Sequence, residues 1–415
     1  MTQSAHLGDA AWLKHGDVAS LLALLDRDGE EARVVGGAVR NALLQLPVSE
    51  IDIATTALPA EVTRRVAAAG GKTIPTGIEH GTLTVVLDHR PIEVTTLRED
   101  VETFGRKARV AFGRDWRADA ERRDFTINAL SASADGTVHD YVGGLDDIAA
   151  RRVRFIGEAK ERIEEDYLRI LRFFRFHAHF GHGAPDAAGL AACIRARSGL
   201  ETLSRERVRM EMLKLLVAAR ATPTLAVMAE SGLLEEVLGG VAYLASFENM
   251  AKTEAALGTE ADAIRRLGAL GVWVAEDAER LTQRLRLSNA ESERLLALEL
   301  WWRVAPGAGE QAARVLLYRL GPERFVDRVL LAWSRSDAGI ANSGWKHLAT
   351  LPQRWTAPIF PLRAADFTGR GIAAGPLLGA VLHAAELAWI AAAFPADRPT
   401  LDVIADQAAR ETVPL

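Results

Sequence analysis

The chain has 415 residues, of which 49 % are hydrophobic and 25 % charged, the composition of a soluble globular protein of roughly two to four domains. Its single cysteine, Cys193, excludes an internal disulfide, and its net charge of −5 excludes a surface coated uniformly with positive charge. The sequence contains no apolar run of about 18 residues, and its start lacks a basic region followed by a cleavage site. We therefore expect a cytoplasmic protein with no membrane segment.

The first third of the chain has the pattern of a mixed α/β domain. Leucines at helical spacing over residues 13–30 predict an opening amphipathic helix. Strands are predicted at Arg33–Val35 and Ile51–Ala54, on either side of a Gly36-Gly37 turn and a helix over 38–46. Further β-like runs follow at 83–87 and 92–96, and the segments 126–131 and 138–141 have the pattern expected at the end of this α/β region.

From about Arg151 onward the pattern is helical. Apolar residues recur at helical spacing over 161–180, 204–219, 288–304 and 310–320. Ser288 and Glu291 have the form of a capping box, and Gly-Pro pairs at 321–322 and 375–376 separate or start helices. This order predicts an α+β fold, in which a mixed sheet with helices is followed by an all-α region.

The Gly36-Gly37 turn is the first candidate for chemistry. Glycines between a strand and a helix let backbone amides approach an anion, and Arg40 in the first helical turn is placed to reach a phosphate. The alternative is an ordinary tight turn. Neither of the common glycine-rich motifs for dinucleotides and for P-loop phosphates occurs in the chain.

Acidic residues form the second candidate. Glu50 and Asp52 are two positions apart in a predicted strand, so both carboxylates point to one face, and Glu93 in a later strand is a third acid. Carboxylates held side by side are typical of two-metal phosphoryl-transfer sites. The alternative is the solvent-facing edge of an amphipathic strand. Glu79 and Asp88, in more turn-like contexts, are weaker choices for the third acid.

Two arginine-rich segments complete the candidates. Arg123 and Asp124 lie in the run ERRDFTINA, and in EEDYLRILRFFRF four polar residues recur every three positions among large hydrophobic ones: Asp166, Arg169, Arg172 and Arg175. Charged surfaces and helix-stabilising pairs are the alternatives. Four such residues on a well-buried helix favour a polar cleft beside the preceding domain.

In this order and spacing the segments resemble the class II tRNA nucleotidyltransferases, or CCA-adding enzymes, and the related bacterial poly(A) polymerases. The similarity lies in GGAVRNALLQLPVSEIDIATT, EHGTLTVVL, IEVTTLRED, DAERRDFTINAL, HDYVGGLDDI, EEDYLRILRFFRF and LSRERVRMEMLKLL. It implies a nucleotidyltransferase fold in a head domain over 32–150, after an N-terminal helix within 1–31. A neck over 151–220, a helical body over 221–335 and a helical tail over 336–415 that binds tRNA would follow.

The resemblance also implies roles for individual residues. Gly36, Gly37 and Arg40 would handle the nucleoside triphosphate, and Arg123 with Asp124 its sugar and phosphates. Glu50 and Asp52 match the metal-binding pair that holds Mg²⁺, and Glu93 the third acid. Asp166 and Arg169 match the pair that reads the incoming base, with Arg172 and Arg175 behind them, while Glu206 and Arg207 match a helix-stabilising motif. The chain departs from the family at Glu50 and Asn41, where the family usually has Asp.

The implied reaction is transfer of CMP and AMP from CTP and ATP to the tRNA 3′ end, with release of pyrophosphate and without a stable protein partner. Asp166 can only accept hydrogen bonds and Arg169 can only donate them, which suits cytosine and adenine and disfavours uracil and guanine. The alternatives are a poly(A) polymerase, an enzyme that adds only CC or only A, and a non-catalytic RNA-binding relative. A metal-dependent phosphohydrolase would need a second histidine–aspartate cluster, which the sequence does not offer.

Overall fold

The structure, a computed structural model, describes residues 5–8, 10–77, 81–87, 90–104 and 107–412, with the backbone alone for 99–104, 107–111 and 412. The two weaker candidates for the third acid, Glu79 and Asp88, lie outside the described residues. The chain forms two compact units, one of residues 1–242 with 283–286 and one of residues 243–282 with 287–415.

All described strands belong to the first unit. They are β1 (Ala32–Val35), β2 (Asp52–Thr55), β3 (Lys72–Gly77), β4 (Thr82–Leu87), β5 (Arg90–Thr96), β6 (Arg98–Phe104), β7 (Lys107–Phe112), β8 (Ser131–Ala132) and β9 (Val138–His139). Seven of them form one sheet in the order β3-β4-β5-β2-β1-β8-β9, and β6 pairs with β7 as a separate hairpin. Only the β2–β5 pair is parallel among these described pairings, so the sheet is mixed.

The helices of the first unit surround this sheet and continue beyond it. They are α1 (Ala11–Lys14), α2 (Asp17–Leu25), α3 (Gly37–Leu43), α4 (Pro59–Ala68), α5 (Trp116–Glu121), α6 (Gly144–Ala149), α7 (Ala159–Glu165), α8 (Leu168–Phe180), α9 (Ala187–Arg195), α10 (Arg205–Leu216), α11 (Ala221–Glu230) and α12 (Leu233–Leu238). Short 3₁₀ helices lie at Thr126–Asn128 and Arg197–Thr202.

All the regular secondary structure described in the second unit is helical. Its helices are α13 (Leu244–Leu257), α14 (Ala263–Gly271), α15 (Ala275–Leu285), α16 (Asn289–Leu296), α17 (Glu310–Leu320), α18 (Pro322–Ser334), α19 (Ser343–Ala349), α20 (Leu351–Arg354), α21 (Ala364–Thr368), α22 (Pro376–Ala391) and α23 (Arg398–Thr412), with 3₁₀ turns at Trp301–Arg303 and Pro306–Ala308. No helix among the described residues combines the length and the apolar character needed to cross a bilayer.

Strand alternation gives the large sheet one face packed against helices and a second face that only a small apolar cluster covers in part. Val34, Ile53, Leu83, Val85 and Val94 are buried in a core with α2 and α4. Side chains alternate along a strand, so the residues between them point to the other face. That second face includes Asp52 and Glu93, both exposed.

Several predicted elements are confirmed. The helix over 310–320 has those bounds, the Ser288–Glu291 capping box forms, and both Gly-Pro pairs precede helices. The helix predicted over 204–219 is α10, and its apolar residues Val208, Met212, Leu215 and Leu216 are buried. The Leu-rich start of the chain differs from its prediction, because Gly16 at φ 76° divides it into α1 and α2.

The segment 126–131, predicted to close the α/β region, contains a 3₁₀ helix and the first residue of the two-residue strand β8. Two longer helix predictions are wrong in part. The helix over 288–304 ends at Leu296, and Leu300 has a left-handed φ of 62° that a continuous helix cannot contain. The helix over 161–180 is two helices, because Asp166 is extended with φ −156° and ψ 104°.

Candidate active site

The turn between β1 and α3 contributes two glycines, Gly36 and Gly37, to the candidate site. Gly36 has φ 68° and ψ −121°, and its amide donates to the Leu130 carbonyl at 3.0 Å. A Cβ at this position would lie 3.1 Å from Nη1 of Arg123 and 3.6 Å from the Asn128 carbonyl oxygen. Glycine is required here by both the left-handed φ and the close approach of these groups.

Arg40 is a buried cation held by neutral groups. Its Nη1 donates to Oδ1 of Asn128 at 2.5 Å, and its Nε and Nη2 donate to Oδ1 of Asn41 at 3.1 and 2.8 Å. The guanidinium lies over the Phe180 ring at 3.9 Å. Burial and the nearby Arg175 lower the pKa of Arg40 to about 10, so it stays charged at neutral pH. Asn41 therefore keeps the acceptor that the family's Asp would provide but does not neutralise the charge.

The acids lie at the middle of the sheet. Asp52 begins β2 and is paired in parallel register with Glu93 of β5. Glu50 is not on the strand as predicted, because β2 starts at Asp52, but both residues line the same cavity. The Asp52 side chain opens into the cavity, but the surrounding protein limits its hydration and so raises its pKa, and the carboxylates of Glu93 and Glu50 add to this effect.

This donor set suits a hard divalent cation. Carboxylate oxygens are the ligands that such ions prefer, and a cation would relieve the repulsion that raises the Asp52 pKa. Within the described part of the chain no group of three or more acidic, histidine or cysteine side chains is close enough to enclose a metal ion. A protein site with few carboxylates is typical of Mg²⁺, which keeps waters and binds substrate phosphates.

Arg123 and Asp124 are each fixed by a charged partner. Arg123 pairs with the buried Asp119, with Nη2 3.2 Å from Oδ2. Asp124 accepts from Nε and Nη2 of Arg172 at 2.8 and 2.6 Å and from Nδ2 of Asn128 at 3.1 Å. Burial raises the pKa of Asp124, but Arg172 and these hydrogen bonds outweigh it, so the pKa is lowered.

Asp166 and Arg169 lie at the break between α7 and α8. Asp166 is therefore not inside a helix as predicted; its Oδ1 accepts from the Leu168 amide at 3.1 Å, at the start of α8. Nη1 of Arg169 donates to the Arg162 carbonyl at 2.5 Å and to the Glu165 carboxylate. The other nitrogens of Arg169 have no hydrogen bond to the described residues, and Arg169 faces the same cavity as Asp166.

The helix α10 contributes residues that the sequence did not assign to the site. Arg207 pairs with Asp166, and Glu211 pairs with Arg175 at 2.5 Å. Residues 207 and 211 are one helical turn apart, so their i, i+4 spacing on an amphipathic helix was the available signal. Glu206, of the same predicted motif, pairs instead with Arg286 on the exposed surface.

One cavity of about 650 Å³ brings these residues together. Its lining includes Asn128, Leu168 and Phe176, which carried no site signal in the sequence. It also includes six arginines and four carboxylates: Arg40, Arg123, Arg169, Arg172, Arg175, Arg207, Glu50, Asp52, Asp124 and Asp166. Gly36 and Gly37 of the turn before α3 also line this cavity. Glu93 lies outside this cavity and lines a neighbouring one with Glu50 and Asp52. The excess of arginine suits an anionic ligand of nucleotide size.

Comparison with known proteins identifies the family. The chain is 34 % identical over 375 residues to the mitochondrial CCA tRNA nucleotidyltransferase 1 of Mus musculus, covering 89 % of this chain and 85 % of that protein. It is 33 % identical over 378 residues to the CCA-adding enzyme of Limosilactobacillus fermentum, covering 87 % and 89 %. The chain belongs to the CCA tRNA nucleotidyltransferase family. The resemblance found in the sequence is thereby confirmed.

Two family models and a solved structure agree with this assignment. Residues 32–154 match the poly A polymerase head domain, and residues 186–244 match the probable RNA and SrmB-binding site of polymerase A. The crystal structure of the Bacillus stearothermophilus CCA-adding enzyme in complex with CTP superimposes with a TM-score of 0.75 at 28 % identity, over 95 % of this chain and 97 % of that one. The α+β nucleotidyltransferase fold is therefore confirmed. Membership of this enzyme family suggests a divalent-metal requirement.

Proposed function

We propose that this protein adds CMP and AMP, taken from CTP and ATP, to the 3′ end of tRNA and releases pyrophosphate. The observation that carries the proposal is the single cavity in which the Gly36 turn, the Glu50–Asp52 acids and the Asp166–Arg169 pair meet. These three parts correspond to the three tasks of a template-independent nucleotidyltransferase, which are to hold phosphates, to promote phosphoryl transfer and to select a base.

The arginines are suited to the triphosphate. Arg40 is charged, buried and bonded to neutral amide oxygens, so its positive field is available to an anion. Arg123 lies beside the Gly36 turn, where the absence of a side chain lets a phosphate approach the backbone. Arg172 and Arg175, fixed by Asp124 and Glu211, add positive charge on the α8 side.

Glu50 and Asp52 are the residues that we assign to Mg²⁺, with Glu93 beside them. When bound, Mg²⁺ would favour ionisation of the attacking 3′-hydroxyl and neutralise the charge that develops on the triphosphate. The protein's own contribution is positioning, because the rigid β2–β5 pairing fixes Asp52 and Glu93 relative to each other and to the Gly36 turn. The Glu50 side chain has an extra methylene relative to Asp, and it lines the same cavity as Asp52.

Base choice follows from the hydrogen bonds that remain open. A carboxylate has about four lone-pair positions, and Asp166 uses three of them for Arg207 and the Leu168 amide. The fourth can accept from the exocyclic amino group of cytosine or adenine. Arg169 has uncommitted N–H groups on Nε and Nη2 that can donate to the ring nitrogen beside that amino group. Uracil and guanine would place a carbonyl against Asp166.

The remaining assignments follow the family. We propose that the neck, with α7, α8 and α10, carries base selection and that the helical tail over 336–415 contacts tRNA. The cytoplasmic location stays a prediction, and the Mus musculus relative is a mitochondrial protein.

The test is incorporation of labelled CTP and ATP into a tRNA transcript that lacks its three terminal nucleotides. We expect incorporation that depends on Mg²⁺, stops on addition of EDTA and does not occur with UTP or GTP. Binding of tRNA without any metal-dependent incorporation would instead support a non-catalytic RNA-binding protein.

A further inference from the structure

A second cavity lies on the other side of the acids. It has a volume of about 490 Å³ and includes Thr84, Arg90 and Glu93 in its lining. Glu50 and Asp52 line both this cavity and the arginine-rich one, so the two cavities meet at the acid pair. In a transfer reaction the donor and acceptor substrates must approach the same catalytic groups from different sides. The second cavity is therefore placed for the acceptor.

The charges that line the two cavities support the same division between donor and acceptor. Among the described residues, the first has two more arginines than carboxylates, whereas the second has three carboxylates and one cation, Arg90. Such a lining does not favour a triphosphate. It favours a group rich in hydroxyls, which donate to carboxylates, with at most one phosphate near Arg90.

Strand register places Thr84 next to Glu93. The two residues are directly opposite each other in the antiparallel β4–β5 pair, and their neighbours Leu83, Val85, Ile92 and Val94 are buried in the core on the opposite face. Side chains directly opposite on one face have Cβ atoms about 4.5–5.5 Å apart. Thr84 thus lies on the strand next to Glu93, and both residues line the second cavity.

The Thr84 hydroxyl also has hydrogen-bonding capacity to spare. Its Oγ1 is 3.0 Å from Oγ1 of Thr76 on β3, and either atom can be the donor. A hydroxyl has one donor and two acceptor positions, so this bond leaves positions for a ligand in both cases. Thr76 does not line the cavity.

We propose that this cavity binds the 3′-terminal nucleotide of the acceptor RNA and that Thr84 hydrogen-bonds its 2′-hydroxyl. The proposal rests on the proposed function and adds to it a residue that distinguishes an RNA end from a DNA end, since the 2′-hydroxyl is the group that differs. Arg90, whose Nη2 donates to the Ser49 carbonyl at 3.1 Å, supplies the cation for the phosphodiester that precedes this nucleotide.

The experiment uses tRNA transcripts that end one nucleotide short and carry either ribose or 2′-deoxyribose at the last position, both with a free 3′-hydroxyl. With the unaltered protein, we expect the deoxy end to lower kcat/KM for AMP addition about 3- to 10-fold, the effect of one neutral hydrogen bond. Thr84→Val should lower kcat/KM on the ribose end by a similar factor and show no further loss on the deoxy end. The KM for ATP should not change. Equilibrium binding of the two transcripts should show the same pattern without turnover.

Thr76→Val is the matched control. It removes the same Thr76–Thr84 hydrogen bond but leaves the Thr84 hydroxyl in the cavity, so the ribose-to-deoxyribose ratio should stay at the value of the unaltered protein. Retention of the full ratio in Thr84→Val, or no discrimination by the unaltered protein in rate and binding, would overturn the proposal while leaving CCA addition in place. No incorporation on any transcript would instead contradict the proposed function itself.

Discussion

Asp166 and Arg207 form a two-point ion pair, with Oδ2 to Nη2 at 2.6 Å and Oδ1 to Nη1 at 3.2 Å. Asp166 lies between two helices, where its backbone is extended, and Arg207 is in the first turn of α10. The Leu168 amide donates only to Oδ1, whereas Arg207 donates to both carboxylate oxygens. The ion pair therefore fixes the orientation in which Asp166 presents its remaining acceptor position to a base.

Removing Asp166, or the Arg207 side chain that orients it, should reduce selectivity more than turnover. Asp166→Ala removes the penalty against a carbonyl, so discrimination against UTP and GTP should fall by about 1–3 kcal/mol, roughly ten- to a hundred-fold. Arg207→Ala should have a smaller effect in the same direction, since the carboxylate remains but loses its orientation. Competition of all four nucleotides for one tRNA measures both. Full selectivity for C and A in Asp166→Ala would place the specificity site elsewhere.

The acid pair gives a second prediction. Asp52→Ala should abolish incorporation and leave the fold intact, because an exposed acid contributes little to folding, whereas loss of a metal ligand removes several kcal/mol of transition-state stabilisation. Glu50→Asp should be as active as the parent or more active, if Glu50 is a tolerated variant of the family's residue. Rates with Mg²⁺ and circular dichroism spectra test both variants. More than a few per cent of parental activity in Asp52→Ala would contradict the assignment.

Asn128 connects the phosphate side of the cavity to the ribose side, since it accepts from Arg40 and donates to Asp124. Asn128→Ala leaves a buried guanidinium N–H without its acceptor, and we expect a loss of stability of about 1–3 kcal/mol and a higher KM for CTP. Asn41→Asp is the comparison, because it keeps an acceptor oxygen for Arg40 and should change stability little. Unchanged KM and stability in Asn128→Ala would show that Asn128 does not position Arg40.

The Arg172–Asp124 pair gives a prediction with a pH dependence. Because the pKa of Asp124 is lowered in the folded protein, the pair stabilises the fold above the ordinary carboxyl range, and this contribution is lost as the pH falls through the lowered pKa. Arg172→Met should cost about 2–3 kcal/mol near pH 7, since it leaves a buried carboxylate unpaired. The difference from the parent should shrink below about pH 4.

Urea unfolding at several pH values measures this difference. Arg64→Met is the control, because its pair with Glu61 is exposed to solvent and should contribute little to stability at any pH. An Arg172→Met penalty that does not change with pH would show that packing rather than charge is lost.

Much of the sheet domain was predictable because β4 and β5 alternate between more and less buried residues, β1 and β2 are short runs of mainly buried residues, and the turn after β1 carries glycine. Predicted strands at 33–35, 51–54, 83–87 and 92–96 correspond to β1, β2, β4 and β5 within one or two residues at each end. β3 was not predicted, because its residues include a proline and are largely exposed, so they lack an alternating apolar pattern. The pairing of Asp52 with Glu93 depends on a parallel register that distant strands adopt only in the folded sheet.

The site was predictable as a set of residues but not as a set of contacts. Spacing on one helix predicted Asp166, Arg169, Arg172 and Arg175 as a group, but Asp166 lies before the helix and is held by Arg207 from another helix. Asn128 carried no signal, because a single amide in a buried segment has no period or charge pattern. Such cross-element partners become evident only once the elements are packed together.

The most direct test of the account is the length and sequence of the product formed on a tRNA transcript without its three terminal nucleotides, incubated with CTP, ATP and Mg²⁺. We predict a product extended by C, C and A in that order, with no further addition. A long A tail, or addition of only CC or only A, would assign the protein to a different activity within the family. No extension at all would contradict the proposal that the Glu50–Asp52 site is catalytic.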